Sequence, residues 1–235
     1  MKIKNLCFII IFIVLMVFFL QSLRQHYNTR NREPLFHMVV VCTPNYDIGV
    51  KGVKAIRKYC KLHKYKFTLI KEAIKGLHVN FTKNAAAITV LKTTNADFVV
   101  NIDADIQIHD FSKSLKSLLP QNIKQQTVFY APPDKYYSPD KRGSVINAGF
   151  IIWKNCDRAI KINQIWLDKA RNECKKIAQK HPRQQNVFDN CVLPLLKQNE
   201  LEWLDSSLVA MTYSKFISQL TGSEKRKQKK RDRKY

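Results

Sequence analysis

Between residues 37 and 155 the chain repeats one pattern, and that pattern leaves few folds open. A short apolar, β-branched run is followed by a stretch whose apolar residues recur at helical spacing. The runs are HMVVVCT (37–43), KFTLI (66–70), DFVVNI (97–102), VFYAPP (128–133) and SVINAGFIIWKN (144–155). Between the first two, Val50, Val53, Ile56, Tyr59, Cys60 and His63 mark a helix face, and Ala86, Val90 and Leu91 mark another. A short helix stopped by Pro120 follows. Asp157 is placed to cap a helix running to about Lys180, and 183–197 reads as a last helix. Strands alternating with helices predict an α/β fold, a mainly parallel sheet flanked by helices. In such sheets ligands bind beyond the carboxyl ends of the strands.

At one such end sit Asp103 and Asp105, directly after the apolar run 97–102. A carboxylate there needs compensation, because burying one without a partner is expensive. On an extended segment residues i and i+2 face the same side, so the pair is placed to converge on one cation. Oxygen ligands of this kind suit Mg²⁺ or Mn²⁺, which commonly share a site with substrate phosphates. Two further segments stand out. Asn147, Ala148 and Gly149 interrupt an otherwise large and apolar run, and small residues in a strand mark close approach by a ligand or another backbone. Gln185 and Asp189, four apart on a predicted helix, share a face where an amide and a carboxylate could bind sugar hydroxyls or steady a reacting centre.

The order of these pieces carries a resemblance. VVVCTPNY, NFTKNAAAITVLKTTNADFVVNIDADI, NAGFIIWKN and RQQNVFDN together resemble a GT-A (Rossmann-like) nucleotide-sugar glycosyltransferase, most of all the galactosyl/mannosyltransferase family, glycosyltransferase family 34, over roughly residues 37–210. The resemblance implies that Asp103 and Asp105 hold Mn²⁺ (or Mg²⁺), with Asp103 also contacting the donor. It places Thr43, Pro44 and Tyr46 against the nucleotide base. Phe81 and Lys83 match an aromatic-x-Lys pair whose lysine lies near the donor phosphates. Asn147, Ala148 and Gly149 line the donor-sugar pocket, while Gln185 and Asp189 face donor sugar and acceptor as the catalytic candidates. The implied partners are a UDP- or GDP-sugar donor and a glycan or glycoprotein acceptor, with retention of configuration. Family members commonly add a His metal ligand after the acceptor-side helix. No His follows His181, and Asp205 is the nearby acidic candidate. Gln184 stands where an acidic residue usually precedes the glutamine. The alternative reading is a catalytically inactive relative that binds a nucleotide sugar or a partner.

Flanking segments set expectations about location. Residues 6–20 are uncharged and almost wholly apolar, extending to 23 before Arg24, the short end of a membrane span. The expected organisation is a short tail (1–5), a transmembrane signal anchor (6–23), a stem (24–36), a glycosyltransferase domain (37–222) and a basic tail (223–235). A single-pass type II protein of Golgi or ER membranes follows. Cations on both sides of the span leave its orientation open. The net charge is +23, and 224–235 carries eight Lys or Arg against Glu224 and Asp232, so the remainder holds +17. A basic surface attracts nucleic acid, anionic membrane or phosphorylated small molecules, and charge alone does not choose. With the motifs above, no specific nucleic acid is expected. Six cysteines without CxxC or Cys/His spacing signal neither a zinc site nor a disulfide framework, and leave a single disulfide open.

Overall fold

The computed structural model of the chain describes residues 13, 15–20, 32–134, 145–210 and 214–219. Most of the predicted anchor and all of the basic tail lie outside them. Among the described residues no helix is long and apolar enough to cross a membrane.

The strands β1 (Phe36–Val41), β2 (Lys66–Ile70) and β3 (Phe98–Asp103) form where the apolar runs predict them. They pair in parallel, with β1 between β2 and β3. The helix between β1 and β2 is α1 (Asp47–Leu62), and α2 (Thr82–Thr93) precedes β3. Beyond β3 the sheet continues through β6 (Phe150–Lys154), β5 (Phe129–Ala131) and β7 (Leu201–Trp203), giving the order β2-β1-β3-β6-β5-β7. Only β6 runs against the rest, antiparallel to both β3 and β5, so five of the six strands point one way. A second sheet joins β4 (Ile106–Ile108), β9 (Ile217–Gln219) and β8 (Val209–Ala210).

Alternation along β3 sorts its side chains between two cores. Phe98, Val100 and Ile102 join Met38, Ile56 and Tyr59 on the α1 side, whereas Val99 packs with Phe81, Ala87, Val90 and Trp166 on the other. The helix carrying Trp166 is α3 (Asp157–Arg171). Its N-cap is Cys156, without a side-chain hydrogen bond, and Asp157 is its first residue rather than its cap. The predicted single helix to about 180 is broken at Asn172, and α4 (Lys175–Ala178) follows as a separate turn. Two other expectations change. The stretch before Pro120 is a 3-10 turn (Leu115–Leu118), and the long run at 144–155 is strand only from Phe150.

Arg158, in the first turn of α3, ties that helix to the entry of β7. Its Nε and Nη2 donate to the two Glu200 oxygens at 2.7 and 2.8 Å, and Glu200 also accepts from the Lys197 amide. Burial alone would raise the Glu200 carboxyl, but the guanidinium and the Lys197 amide outweigh it and hold the group below its ordinary range. Arg158→Ala should cost roughly 2 kcal/mol in urea unfolding, less than the about 3–5 of a fully buried pair because Arg158 is partly exposed. Because the carboxyl is depressed in the fold, this contribution is present above the unfolded value near about 4.3 and is lost as pH falls through the folded one. The gap between parent and variant should therefore close on acidification.

Candidate active site

The apolar run of β3 ends at the first acidic residue, and alternation decides where that residue points. Asp103 lies on the same side as Val99 and Asn101, the α2 side, and Lys83 in the first turn of α2 meets it. The Lys83 ammonium is buried, ion-paired with Asp103 Oδ1, and donates to the Ala148 carbonyl at 2.9 Å. Asn101 donates to the Lys83 carbonyl at 3.2 Å, fixing the backbone that carries it. Phe81 is fully buried beneath the start of the helix.

Asp105 reaches the same place by a different route from the one expected. Ala104 and Asp105 form a turn, not extended chain, before β4 begins. The carboxylates nonetheless converge. Gln219 Nε2 donates to Asp103 Oδ2 at 2.7 Å and to Asp105 Oδ1 at 3.2 Å. The Tyr46 hydroxyl donates to Asp105 Oδ2 at 2.7 Å. Burial and then the Asp105 carboxylate push the Tyr46 phenol well above its ordinary pKa, so it remains a donor throughout the physiological range. Of the other residues expected in that loop, Thr43 is half-buried and accepts from the Tyr46 amide through its carbonyl, while Pro44 is exposed.

Two close approaches make this packing feasible. A Cβ on Gly52 of α1 would stand 1.9 Å from the Ala104 carbonyl oxygen, so only glycine lets the helix lie against the acidic turn. A Cβ on Gly149 would stand 2.5 Å from Gln219 Oε1. A cleft of about 340 Å³ opens beside Asp105 between α1 and β4, with Ile48, Lys51, Ile106, Ile108 and His109 on its walls.

Asn147, Ala148 and Gly149 form the turn into β6 and join the acidic cluster by backbone. Asp103 N–H donates to the Gly149 carbonyl at 2.8 Å, and Asn147 Oδ1 accepts from the Gly149 amide at 2.8 Å. The other end of this segment is held by the predicted catalytic pair. Gln185 Nε2 donates to the Ile146 carbonyl and to Asp134 Oδ2, both at 2.8 Å, and the Asp189 carboxylate accepts from the Val145 amide at 3.2 Å. Gln185 and Asp189 therefore do act on one place, and what they bind there is Asp134, Val145 and Ile146. They stand on irregular backbone. A short helix α5 (Gln184–Val187) runs into a π-helical turn (Phe188–Val192) and a 3-10 turn containing Pro194, in place of the single helix predicted. A Cys174–Cys191 disulfide fastens this turn to the start of α4, resolving the pairing left open by sequence.

Gln184 is buried, donating to Asn84 Oδ1 at 2.6 Å while its carbonyl accepts from the Trp166 indole. Asp205 accepts from the Ser207 amide in its own turn. Among the described residues no third Asp, Glu, His or Cys joins the acidic pair. The residue that does is Gln219, which sequence reasoning missed: a lone glutamine in a three-residue strand carries no motif. Asp134 was missed for the same reason.

No protein-family model matches the chain, and no curated protein is significantly similar in sequence. Its fold is nevertheless shared. A glycosyltransferase involved in glycosylating the major capsid of PBCV-1 superposes with a TM-score of 0.65 at 14% identity, over 86% of this chain and 100% of that one. GlyE, a glycosyltransferase of Streptococcus pneumoniae TIGR4, matches more loosely, with a TM-score of 0.48 and 15% identity over 74% of this chain and 46% of its own. A Drosophila beta1,4-galactosyltransferase 7 in complex with manganese, UDP-Gal and xylobiose gives 0.41 and 9% over 82% and 74%. The likeness to the PBCV-1 enzyme shows the fold alone.

The Gly52 contact gives a test with an unusual sign. Replacing a glycine inside a helix by alanine normally stabilises by about 1 kcal/mol. Here Gly52→Ala should instead destabilise by about 1–3 kcal/mol, because backbone must move to admit the methyl group. Thermal unfolding of the two proteins checks the direction.

Proposed function

We propose that the chain is a metal-dependent glycosyltransferase that moves a hexose from a UDP- or GDP-sugar to a glycan or glycoprotein acceptor. The observation that carries this reading is the convergence of Asp103 Oδ2 and Asp105 Oδ1 on a single partner atom at the carboxyl end of the sheet, in a fold shared with a glycosyltransferase. Two carboxylate oxygens aimed at one point are a donor set that fits Mn²⁺ or Mg²⁺. Asp103 and Asp105 would hold the ion. When bound, it supplies stabilisation of the negative charge that grows on the departing nucleoside diphosphate.

The chain's own residues have roles that follow from their placement. Lys83 is fixed by Asp103 and the Ala148 carbonyl, so its ammonium needs no reorganisation to face a diphosphate in the same cluster. Tyr46 orients Asp105 and, with Thr43 and Pro44, offers the loop against which a base would stack. Asn147, Ala148 and Gly149 would line the donor sugar. Gln185 and Asp189 are proposed to position that lining segment, and through it the donor sugar, from below. This modifies their expected part as catalytic groups.

Retention of configuration, and kinship with glycosyltransferase family 34, remain part of this proposal on the strength of the motif order. So does the layout of an anchor (6–23), a stem (24–36), a transferase domain (37–222) and a basic tail (223–235) in Golgi or ER membranes. The Cys174–Cys191 disulfide supports an oxidising, lumenal setting for the domain.

The full chain in detergent, incubated with a panel of UDP- and GDP-hexoses, should release nucleoside diphosphate from one donor only when Mn²⁺ or Mg²⁺ is present. Asp103→Asn and Asp105→Asn should each lower that rate by at least about a hundredfold while leaving the protein folded. Metal-independent release, or release that survives both substitutions, would overturn the assignment.

A further inference from the structure

The four oxygens of the acidic pair all have donors, and the donors are of two kinds. Asp103 Oδ1 is paired with Lys83 and Asp105 Oδ2 with Tyr46, each a separate partner on a separate side. Asp103 Oδ2 and Asp105 Oδ1 instead share one atom, Gln219 Nε2. That nitrogen stands where the two carboxylates converge, the place a cation bridging them would take. Both carboxylates are acceptors only, so without an ion the amide must present its nitrogen to them.

The backbone of Gln219 is held independently of this contact. β9 pairs antiparallel with β4, which begins immediately after the acidic turn, and Gln219 lies opposite Ile106. The His109 amide donates to the Phe216 carbonyl at 2.8 Å, and the His109 ring meets the Ser218 hydroxyl at 2.6 Å. The side chain therefore has a fixed base and a mobile end. Its terminal torsion is a soft sp³–sp² rotation, and a half-turn exchanges nitrogen for oxygen. Beside residue 149 there is room for either end of the carboxamide because that residue lacks a side chain: Oε1 lies there now, 2.5 Å from where a Cβ would stand, and the NH₂ takes the same place after the half-turn.

We infer that Gln219 is an exchangeable member of the ion site. In the ion-free protein its amide nitrogen stands in for the cation between Asp103 and Asp105. When a divalent cation enters, the carboxamide turns and Oε1 becomes the third protein ligand, so that ion binding and the C-terminal strand are coupled. A neutral oxygen is a suitable ligand for a hard cation, and among the described residues no acidic, His or Cys side chain is placed to do the same work. This inference rests on the reading of Asp103 and Asp105 as ion ligands, and its test separates the two.

The test is a Mn²⁺ titration of the full chain without nucleotide sugar, following the spin-resonance signal of free Mn²⁺. Asp105→Asn should abolish binding. Gln219→Ala should weaken it about tenfold, the scale on which site-supporting residues act. Gln219→Glu has the same reach with a charged oxygen, so it should bind Mn²⁺ more tightly than the parent. It should also melt lower in chelator and recover on adding Mn²⁺. If the parent binds no Mn²⁺, or Asp105→Asn binds as the parent does, the ion-site reading falls and this inference with it. If Asp105→Asn loses binding while Gln219→Ala binds as tightly as the parent or better, the ion site stands and Gln219 is only a plug, which overturns the inference. Should Gln219→Ala fail to fold, Gln219→Glu decides: tighter binding supports the inference and unchanged or weaker binding overturns it.

Discussion

Two carboxylates at the end of a buried strand cannot be left uncompensated, and much of this structure is arranged around answering them. The compensation is not local. It comes from a lysine on the helix before β3, a tyrosine on the loop after β1 and a glutamine on the last described strand, 116 residues from Asp103. Each donor is itself held by backbone geometry, with Lys83 by Asn101 and Ala148, and Gln219 by pairing with β4. The electrostatic need of one short motif thus joins parts of the chain that share no sequence neighbourhood.

Residues 145–149 carry that influence further. One end is gripped by Asp189 and Gln185, the other by Lys83 and the Asp103 amide. A segment held at both ends is well placed to present backbone to a ligand at low reorganisation cost. It also changes the meaning of Gln185 and Asp189. Polar groups at helical spacing invite a direct chemical role, and in this structure they hydrogen-bond to Ile146 and Val145, in the stretch that leads to the acidic cluster.

What could be read from the sequence followed from period and burial. β1, β2 and β3 are apolar runs, α1 has a clear apolar face, α2 is marked by Ala86, Val90 and Leu91, and Asp103 and Lys83 stand at the ends of such elements, so alternation and helical spacing bring them together. The failures have equally physical origins. Helical periodicity continues past Asn172, but the chain breaks there and Cys174 bonds to Cys191. The run 183–197 is apolar enough for a helix, yet Pro194 and the π-helical turn divide it. The antiparallel direction of β6 leaves no trace in composition, because a buried strand is apolar whichever way it runs. Gln219 lay beyond reach for a different reason: its importance depends wholly on a pairing partner more than a hundred residues away.

That distance has a consequence for how the protein is made. Synthesis delivers β1, α2 and the acidic turn long before residue 219 exists, so for much of translation the two carboxylates lack the donor they share. β9, the last described strand, closes the arrangement. A nascent or clipped chain that stops short of it could assemble most of the main sheet and still present an unfinished acidic corner. Arrival of β9 and completion of the acidic corner are then the same event, so a site that reads as local in space is among the later parts of the described fold to be made whole.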